Sequence, residues 1–169
     1  MEIALNEAAL TDAHDIYDML LEIGEGENGF GNSAHGVAFE DFPAYLKRQI
    51  EISQSIDLDP TWQVPQTLYW LMVDDKPVGI GKLRSYLNER LLKSGGHIGY
   101  CIRPSERGKG YGNTILAELL KEARAKGIKE VLLTCDPANI PSRKTIERNR
   151  GKLESMEEDK CFYWIKLDD

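Results

Sequence analysis

Two apolar segments with different periodicities flank a glycine-rich stretch in the second half of the chain. The run His97–Ile102 is short and largely apolar, which is typical of a buried strand. A second set of apolar residues recurs at helical spacing further along: Ile115, Leu116, Leu119, Leu120 and Ala123. The segment between them, Ile102–Asn113, has glycines at positions 108, 110 and 112 and is predicted to be a turn from a strand into a helix.

The rest of the hydrophobic pattern predicts alternating helices and strands. In chain order the predicted elements are a strand at Glu2–Leu5, a helix capped by Thr11, a helix beginning at Asp41, strands at Leu68–Val73 and Val78–Leu83, a partly helical connection at Tyr86–Gly96, a strand at Val131–Cys135, a helix at Pro141–Asn149, and strands at Lys152–Ser155 and Cys161–Leu167. A helix joins the strand at 97–102 to the strand at 131–135, so these two strands are expected to be parallel. The order of elements predicts an α/β sandwich around a mixed sheet.

The composition is that of a globular protein. The chain has 169 residues, of which 41% are hydrophobic and 29% are charged, and this fits a single domain over residues 1–169. The longest uninterrupted apolar run, Leu68–Val73, is too short to cross a bilayer, and the first residues lack the basic region of a secretory signal. The three cysteines are widely spaced and odd in number, so neither a disulfide framework nor a zinc site is expected. We predict a reduced, cytoplasmic protein that binds no metal.

The net charge of −7 is unevenly distributed along the chain. Residues 1–60 contain 13 acidic side chains and two basic ones, and residues 61–169 contain 15 acidic and 19 basic ones. This asymmetry suits a protein that binds a cation on one side and a phosphate-rich cofactor on the other. Solvated helix faces would also explain the acidic residues. The sequence has no broad basic stripe with interleaved aromatic residues, so we expect no nucleic-acid partner.

The glycine-rich turn has the chemistry of a phosphate site. The first backbone N–H groups of a helix lack intrahelical partners, and the helix dipole adds partial positive charge there. Glycines leave those groups accessible to an anion, and Arg103, Arg107 and Lys109 add charges that pair with phosphate. The spacing excludes two common phosphate motifs, a Walker A loop and the Gly-x-Gly-x-x-Gly dinucleotide fingerprint, which has Asn113 at its last position here.

The spacing Arg107-x-x-Gly110-x-Gly112, preceded by Ile102-Arg-Pro, resembles the acyl-CoA pyrophosphate loop of the GNAT superfamily of N-acetyltransferases. The resemblance extends from Gly96 to Gly151. It implies a three-layer α/β sandwich with a central mixed, mostly antiparallel sheet, in which a splayed parallel pair of strands holds acyl-CoA. It also implies that acetyl-CoA is the co-substrate and is bound by Ile102, Arg103, Arg107, Gly108, Lys109, Gly110, Tyr111, Gly112, Asn113, Asn139 and Ser142.

A second motif is similar to the family where the last helix is predicted to begin. Asn139 and Ser142 stand where relatives place residues beside the pantetheine arm, which implies that Asn139 hydrogen-bonds the pantetheine or its supporting backbone. A helix-capping role for Asn139, without a ligand, is the alternative. The chain departs from the family at Ile146, where many relatives have the tyrosine that protonates the departing CoA thiolate.

Acetyl transfer requires a proton acceptor, because an alkyl amine with a pKa of about 10.4 is protonated at neutral pH. His97 is the candidate base, since it begins the central strand where histone-acetylating relatives place a glutamate, and histidine titrates near neutrality. Local hydrogen bonding at a strand end is the alternative role for His97, and a water relay is the alternative proton acceptor. The resemblance also implies that a kinked strand leaves a backbone N–H free at Cys101 for the oxyanion.

The resemblance implies that the glycine-rich loop Gly24–Asn32, which lies between the first two helices as in relatives, forms one wall of the acceptor site. Glu25 and Glu27 would attract an ammonium group, and Phe30 would contact the acceptor. The alternative role for the two acids is only to keep a surface loop soluble.

The sequence thus predicts an N-acetyltransferase that moves the acetyl group of acetyl-CoA directly to a primary amine in a ternary complex. The acceptor is expected to be a cationic small molecule or peptide, and no membrane partner is expected. A non-catalytic acyl-CoA-binding sensor or interaction module is the alternative function. Pairing through the last strands, which is common in the family, would give a homodimer.

Overall fold

The computed structural model describes residues 1–27 and 29–167. Its helices and strands are β1 (Ile3–Glu7), α1 (His14–Ile23), α2 (Phe42–Ser53), β2 (Gln66–Val73), β3 (Lys76–Arg84), α3 (Glu89–Lys93), β4 (Ile98–Ile102), α4 (Tyr111–Ala125), β5 (Glu130–Cys135), α5 (Ile140–Arg148), β6 (Lys152–Met156) and β7 (Cys161–Lys166). Short 3-10 turns precede α2 and α4. The predicted loop 24–32 and the predicted domain 1–169 include residues 28, 168 and 169, which lie outside the described residues.

Two antiparallel sheets form the framework. The first sheet has the order β1-β2-β3-β4, and the second has the order β5-β7-β6. The β2–β3 hairpin turns at Asp74 and Asp75, whose φ angles of 49° and 64° fit a two-residue hairpin turn. Strand β4 pairs with β3 without a register shift, from Ile98 to Ile102. One edge of β4 is therefore fully paired, and its other edge is directed at the second sheet.

Side-chain alternation along the first sheet separates two cores. On one face, Leu83 belongs to the same buried cluster as Leu119 of α4. On the opposite face, Ile80 and Trp70 belong to the cluster that contains the buried sides of α1 and α2. Helix α4 comes close to the sheet because β3 carries a glycine there: a Cβ at Gly81 would lie 2.8 Å from a methyl group of Leu119.

Strands β4 and β5 belong to different sheets and meet just before β4 begins. The backbone N–H of His97 donates to the carbonyl oxygen of Leu132 (2.8 Å), and the Leu132 N–H donates to His97 Nδ1 (2.9 Å). Gly96 permits this approach, because its φ is +60° and a Cβ there would collide with the Leu132 carbonyl. Beyond the junction, residues of both strands line a cleft, so the two strands diverge.

The predicted α/β sandwich is confirmed, with two differences from the sequence-based elements. The splayed pair that the family resemblance implies is present as β4 and β5, but no hydrogen-bonded parallel ladder joins them in the part of the chain that the structure describes, so two antiparallel sheets replace a single mixed one. Helix α1 begins after the predicted cap at Thr11, with Ala13 at its N-cap position. Asp12 explains the shift, because it accepts a hydrogen bond from Trp70 Nε1 (2.7 Å) and fixes the chain ahead of the helix.

Candidate active site

A cleft of about 760 Å³ lies between the diverging strands. One wall is β4 from Ile98 to Ile102, and the facing wall runs from Leu133 to Asp136 at the end of β5. The N-terminus of α4 borders the cleft at one end, and the glycine-rich loop that follows α1 also lines it, with Glu27 beside Arg107 and Phe30 over Gly99 of β4. This shape suits a long ligand.

The N-terminus of α4 has no capping side chain. Gly110 occupies the N-cap position with φ +83°. Gly108 has φ +80°, and a Cβ at either glycine would meet no atom within 4 Å. The first N–H groups of this 15-residue helix therefore border open space, where the helix dipole adds partial positive charge. This end of the cleft can hold a phosphate.

Arg103 and Arg107 are both paired with acidic residues from the first third of the chain. Arg103 Nη2 lies 2.9 Å from Glu22 Oε1, and Arg103 is not among the described residues that line the cleft. Arg107 lines the cleft, pairs with Glu27, and donates from Nε to the carbonyl oxygen of Ile102 (2.9 Å). The side chains of Arg107 and Glu27 are 41% and 48% exposed, so this pair can open and give Arg107 to a phosphate.

Lys109 is held by Glu106. Glu106 Oε2 lies 2.5 Å from Lys109 Nζ, and Glu106 Oε1 pairs with Lys76. Hydrogen bonds from Lys109 and then from Lys76 lower the pKa of Glu106 to about 2, so the carboxylate is charged at neutral pH. Lys109 is not among the described residues that line the cleft. Binding of a phosphate at this end therefore depends on backbone N–H groups and Arg107.

The start of α5 contributes a further part of the wall. Asn139 is the N-cap of α5, and its Oδ1 accepts a hydrogen bond from the backbone N–H of Ser142 (3.4 Å). Asn139 also lines the cleft, and the capping bond does not use its amide nitrogen. Both roles considered for Asn139 are therefore compatible.

Tyr100 extends from β4 to this wall. Its hydroxyl lies 3.3 Å from Ser142 Oγ, and its ring lies beside Gly112 of α4. Burial raises the pKa of Tyr100, and the hydrogen bond with Ser142 opposes this only in part. The phenol is protonated at neutral pH and can donate a proton. Ile146, at the position of the tyrosine found in relatives, is 1% exposed and lies in the core.

The other end of the cleft lies beside the glycine-rich loop. Phe30 covers Gly99 of β4, where a Cβ would lie 3.5 Å from Phe30 Cδ2. Lys82 Nζ lies 4.3 Å from the centroid of the Phe30 ring and donates to the carbonyl oxygen of Gly31. Lys82 and Arg84 are two residues apart on β3, and both line the cleft. This end therefore combines an aromatic ring with two cationic side chains.

The model of the acetyltransferase (GNAT) family matches residues 36–151. The chain belongs to the GNAT acetyltransferase family. Three solved structures with the same fold are a GNAT-family acetyltransferase from Streptococcus pneumoniae (16% identity, 99% of this chain and 100% of that chain, TM-score 0.65), an acetyltransferase from Salmonella typhimurium that modifies the N-terminal serine of a 50S ribosomal subunit protein (16%, 98% and 95%, 0.66), and the N-acetyltransferase PseH from Campylobacter jejuni in complex with acetyl coenzyme A (12%, 99% and 100%, 0.65). No curated protein matches the chain.

This GNAT protein is an acetyl-CoA-dependent N-acyltransferase, and its cleft fits the cofactor. The bare N-terminus of α4 suits the pyrophosphate, and the gap between β4 and β5 suits the pantetheine arm. In residues 1–27 and 29–167, no group of three or more His, Cys, Asp or Glu side chains could hold a metal ion. The same residues include no helix that is long and apolar enough to cross a membrane.

The geometry of this GNAT protein does not favour His97 as the base. His97 is 6% exposed and is not among the described residues that line the cleft. Its Nδ1 accepts the N–H of Leu132, so this nitrogen cannot take a proton without losing that bond. Burial, followed by the charge of Arg84, lowers the pKa of His97 to about 4. Its contacts are those of the alternative role, local hydrogen bonding where two strands meet.

Cys101 lies in the cleft, but its backbone N–H faces the sheet. The Arg103 N–H donates to the Val78 carbonyl oxygen (2.9 Å), and the β3–β4 register continues from there without a shift. Opposed residues in an antiparallel pair alternate between hydrogen-bonded and non-hydrogen-bonded positions. Arg103 is at a hydrogen-bonded position, so Cys101, two residues earlier and opposite Ile80, is at one as well. The expected kink is absent within β4, and the N–H groups of Tyr100 and Ile102 are the ones directed toward the cleft.

The two acids proposed for the acceptor site are far from equivalent. Glu25 is 85% exposed, lies 3.8 Å from His35 Nε2, and is not among the described residues that line the cleft. Glu27 lines the cleft but pairs with Arg107. In this arrangement Glu27 is occupied by Arg107, Glu25 points away from the cleft toward His35, and Phe30 lies at the cleft.

Sequence reasoning missed Tyr100, Lys82 and Arg84. A signal existed for the two cations, because strand alternation places them on the same face as the buried Ile80. Two cationic residues that follow a buried apolar residue on the same face of a strand indicate that this face passes from the core to a polar site. Tyr100 gave no comparable signal, since its partner Ser142 lies 42 residues away in the chain.

Proposed function

We propose that this acetyltransferase moves the acetyl group of acetyl-CoA directly to a primary amine in a ternary complex. The observation that carries the proposal is the continuous cleft, whose lining runs from Gly110 at the N-terminus of α4 to Phe30 and Lys82. A cofactor bound by its pyrophosphate at Gly110 would extend its thioester along β4. The amine would then approach from the end beside Phe30, so both substrates share one cleft.

Strand β4 supplies the groups that the reaction needs. The N–H groups of Tyr100 and Ile102 would stabilise the oxyanion that forms on the thioester oxygen. The amine nitrogen bonds to the acetyl carbon, the carbon–sulfur bond breaks, and the Tyr100 hydroxyl gives its proton to the CoA thiolate. Water in the cleft accepts one proton from the ammonium before attack, which costs roughly 4–5 kcal/mol at neutral pH, and a second proton as the amide forms. One of these protons returns through water to the Tyr100 oxygen, so the tyrosine is restored.

Direct transfer is favoured over an acyl-cysteine intermediate. Burial raises the pKa of Cys101, although Arg107 acts in the opposite direction. Burial and the neighbouring Cys161 raise the pKa of Cys135 to about 11. Because the thiolate is the reactive form of cysteine, both thiols in the cleft are weak nucleophiles at neutral pH.

Binding of acetyl-CoA by Gly110→Asp tests the cofactor end of the cleft. The new carboxylate would occupy the place of the pyrophosphate, so acetyl-CoA should no longer raise the melting temperature. Gly127→Asp is the matched control, because Gly127 has φ +81° against +83° for Gly110 and a Cβ at either position meets no atom within 4 Å. Gly127 follows the other end of α4, so its variant should keep the acetyl-CoA shift. An unchanged shift in Gly110→Asp would contradict the site.

Turnover separates an enzyme from an acyl-CoA sensor. The core position of Ile146 keeps the sensor in consideration, because the usual tyrosine acid is missing. Release of CoA from acetyl-CoA, followed with a thiol reagent, is measured across a panel of primary amines. The proposal requires CoA release that depends on the added amine. A sensor would bind acetyl-CoA, but none of the amines would cause it to release CoA.

A cytoplasmic location, a single domain over residues 1–169 and a homodimer stay predictions. The location is supported by three cysteines that are buried and unpaired, as expected in a reducing compartment. Sedimentation of the purified chain would distinguish a dimer from a monomer.

A further inference from the structure

Lys82 and Arg84 form a cationic pair at the acceptor end of the cleft, and no described carboxylate is paired with either of them. Both side chains are partly buried and line the cleft. Over residues 1–27 and 29–167, neither forms an ion pair with a carboxylate at 4.0 Å or less. Arg107, which donates to Cys101 Sγ (3.7 Å) further along β4, differs because it pairs with Glu27.

The contacts that this pair does make are with neutral groups. Lys82 donates to the carbonyl oxygen of Gly31, and Arg84 donates to Gln66 Oε1 (3.1 Å) and to two backbone carbonyls just before β4 (3.2 Å each). An ammonium has three N–H donors and a guanidinium has five, so both side chains keep donors for a ligand. Neutral side chains could make the carbonyl contacts without the unfavourable burial of an unpaired charge.

Neighbouring groups respond to the uncompensated positive charge. Burial, followed by Arg84, lowers the pKa of Lys82 to about 8. The same two causes lower the pKa of His97. A carboxylate nearby would shift both values in the opposite direction. The acceptor end therefore has a positive potential that attracts an anion.

The cationic pair lies next to the place of the proposed reaction. Lys82 is opposite Gly99 in the β3–β4 register, and directly opposed residues have Cα atoms about 4.5–5.5 Å apart. Gly99 has no side chain and precedes Tyr100, the proposed proton donor. An anion bound by Lys82 would thus lie close to the reacting amine.

We propose that the acceptor is a small amine with a carboxylate near its amino group, such as an α-amino acid, and that Lys82 and Arg84 bind this carboxylate. The planar guanidinium of Arg84 matches the two oxygens of a carboxylate. The inference rests on the proposed function, because it assigns the acceptor end of the same cleft. It differs from the prediction of an acceptor attracted by Glu25 and Glu27.

The test compares amino acids with their amides, which have the same side chain and no carboxylate. The kcat/KM for each acid and its amide is measured by CoA release in the parent, Lys82→Gln and Arg84→Gln. Each amine keeps its intrinsic reactivity in every variant, so a change in the acid-to-amide ratio reports only the carboxylate contact. Lys93→Gln is the matched control, because it removes one exposed cation that is not among the described cleft residues.

The expected result is an acid-to-amide ratio that falls about tenfold or more in Lys82→Gln and Arg84→Gln and stays within about twofold in Lys93→Gln. Arg84→Lys should restore part of the ratio, and an acetyl-CoA thermal shift checks that each variant is folded. An unchanged ratio in both test variants would overturn the proposal.

Failure of the proposed function would give a different result. If no amine causes CoA release, turnover is absent. Binding then replaces kcat/KM: the rise in melting temperature of the CoA complex is compared for each amino acid and its amide. Loss of that preference in Lys82→Gln supports the carboxylate site without turnover, and equal stabilisation by acids and amides overturns it.

Discussion

Replacement of His97 by asparagine distinguishes a residue that joins two strands from one that accepts the substrate's proton. The His97 N–H donates to the Leu132 carbonyl oxygen, and His97 Nδ1 accepts the Leu132 N–H. Asparagine offers a carbonyl oxygen close to the position of Nδ1, so it can keep the second bond, but it cannot titrate. Alanine would leave the buried Leu132 N–H unpaired, which costs about 1–3 kcal/mol.

The size of the effect follows from the pKa of His97. Burial and Arg84 lower that pKa to about 4 in the folded protein, whereas a histidine in an unfolded chain has a pKa of about 6.5. Between these values the unfolded chain binds a proton that the folded protein does not. Stability therefore decreases as the pH falls from about 6.5 to about 4, and the loss between pH 7 and pH 5 is about 2 kcal/mol.

Urea unfolding at pH 7 and pH 5 measures this contribution. The parent should lose about 2 kcal/mol more between the two pH values than His97→Asn, since other titrating groups affect both proteins alike. The kcat of His97→Asn at neutral pH should stay within a few-fold of the parent. A kcat lower by about 10²–10³, together with the parental pH dependence of stability, would refute this reasoning and restore His97 as the base.

Two further substitutions test the remaining groups of the cleft. Tyr100→Phe should lower kcat by about 10²-fold or more with little change in the KM for acetyl-CoA, because it removes only the proton donor; Tyr45→Phe, which also loses a hydroxyl in contact with a serine (2.8 Å) but outside the cleft, should keep the parental kcat, and equal values would exclude Tyr100 as the acid. Glu27→Gln should free Arg107 and lower the KM for acetyl-CoA by up to about fivefold, because an exposed ion pair contributes about 0–1 kcal/mol. Glu25→Gln should change neither KM, and a higher amine KM in that variant would restore the acidic acceptor site.

The elements that frame the cleft could be predicted because their signals are local. The run at 97–102 and the helical spacing after Asn113 bracket the turn at Gly110, and positive φ at that glycine follows from the tight passage into α4. The β2–β3 hairpin was equally predictable, since Asp74 and Asp75 are turn residues between two apolar runs.

The family resemblance predicted the splay of β4 and β5, but the contacts that join the two strands before they diverge could not be predicted, because they connect distant residues. His97 bonds to Leu132, which lies 35 residues further along the chain, and Gly96 is needed for that approach. Periodicity reports which face of a strand is buried, but it does not report which strand lies beside it.

The prediction that the acidic first third gathers a cationic acceptor stays a prediction, but the contacts of two of its acids could not be predicted. Glu22 pairs with Arg103 across 81 residues, and Glu27 pairs with Arg107 of the same basic turn. In this structure these two acids neutralise part of the turn, so they are less available to a cation. Pairing depends on the fold, and a count of charges by segment carries no information about it.

The glycine-rich loop connects the two ends of the cleft. Glu27 ties the loop to Arg107 beside the phosphate site, and Gly31 accepts a hydrogen bond from Lys82 at the acceptor end. A pyrophosphate that takes Arg107 from Glu27 releases the first contact, and a carboxylate that takes donors from Lys82 weakens the second. We therefore expect each substrate, on the proposed binding modes, to compete for one of the two contacts made by Glu27 and Gly31, and protection of their backbone amides from hydrogen exchange with and without each substrate would test this.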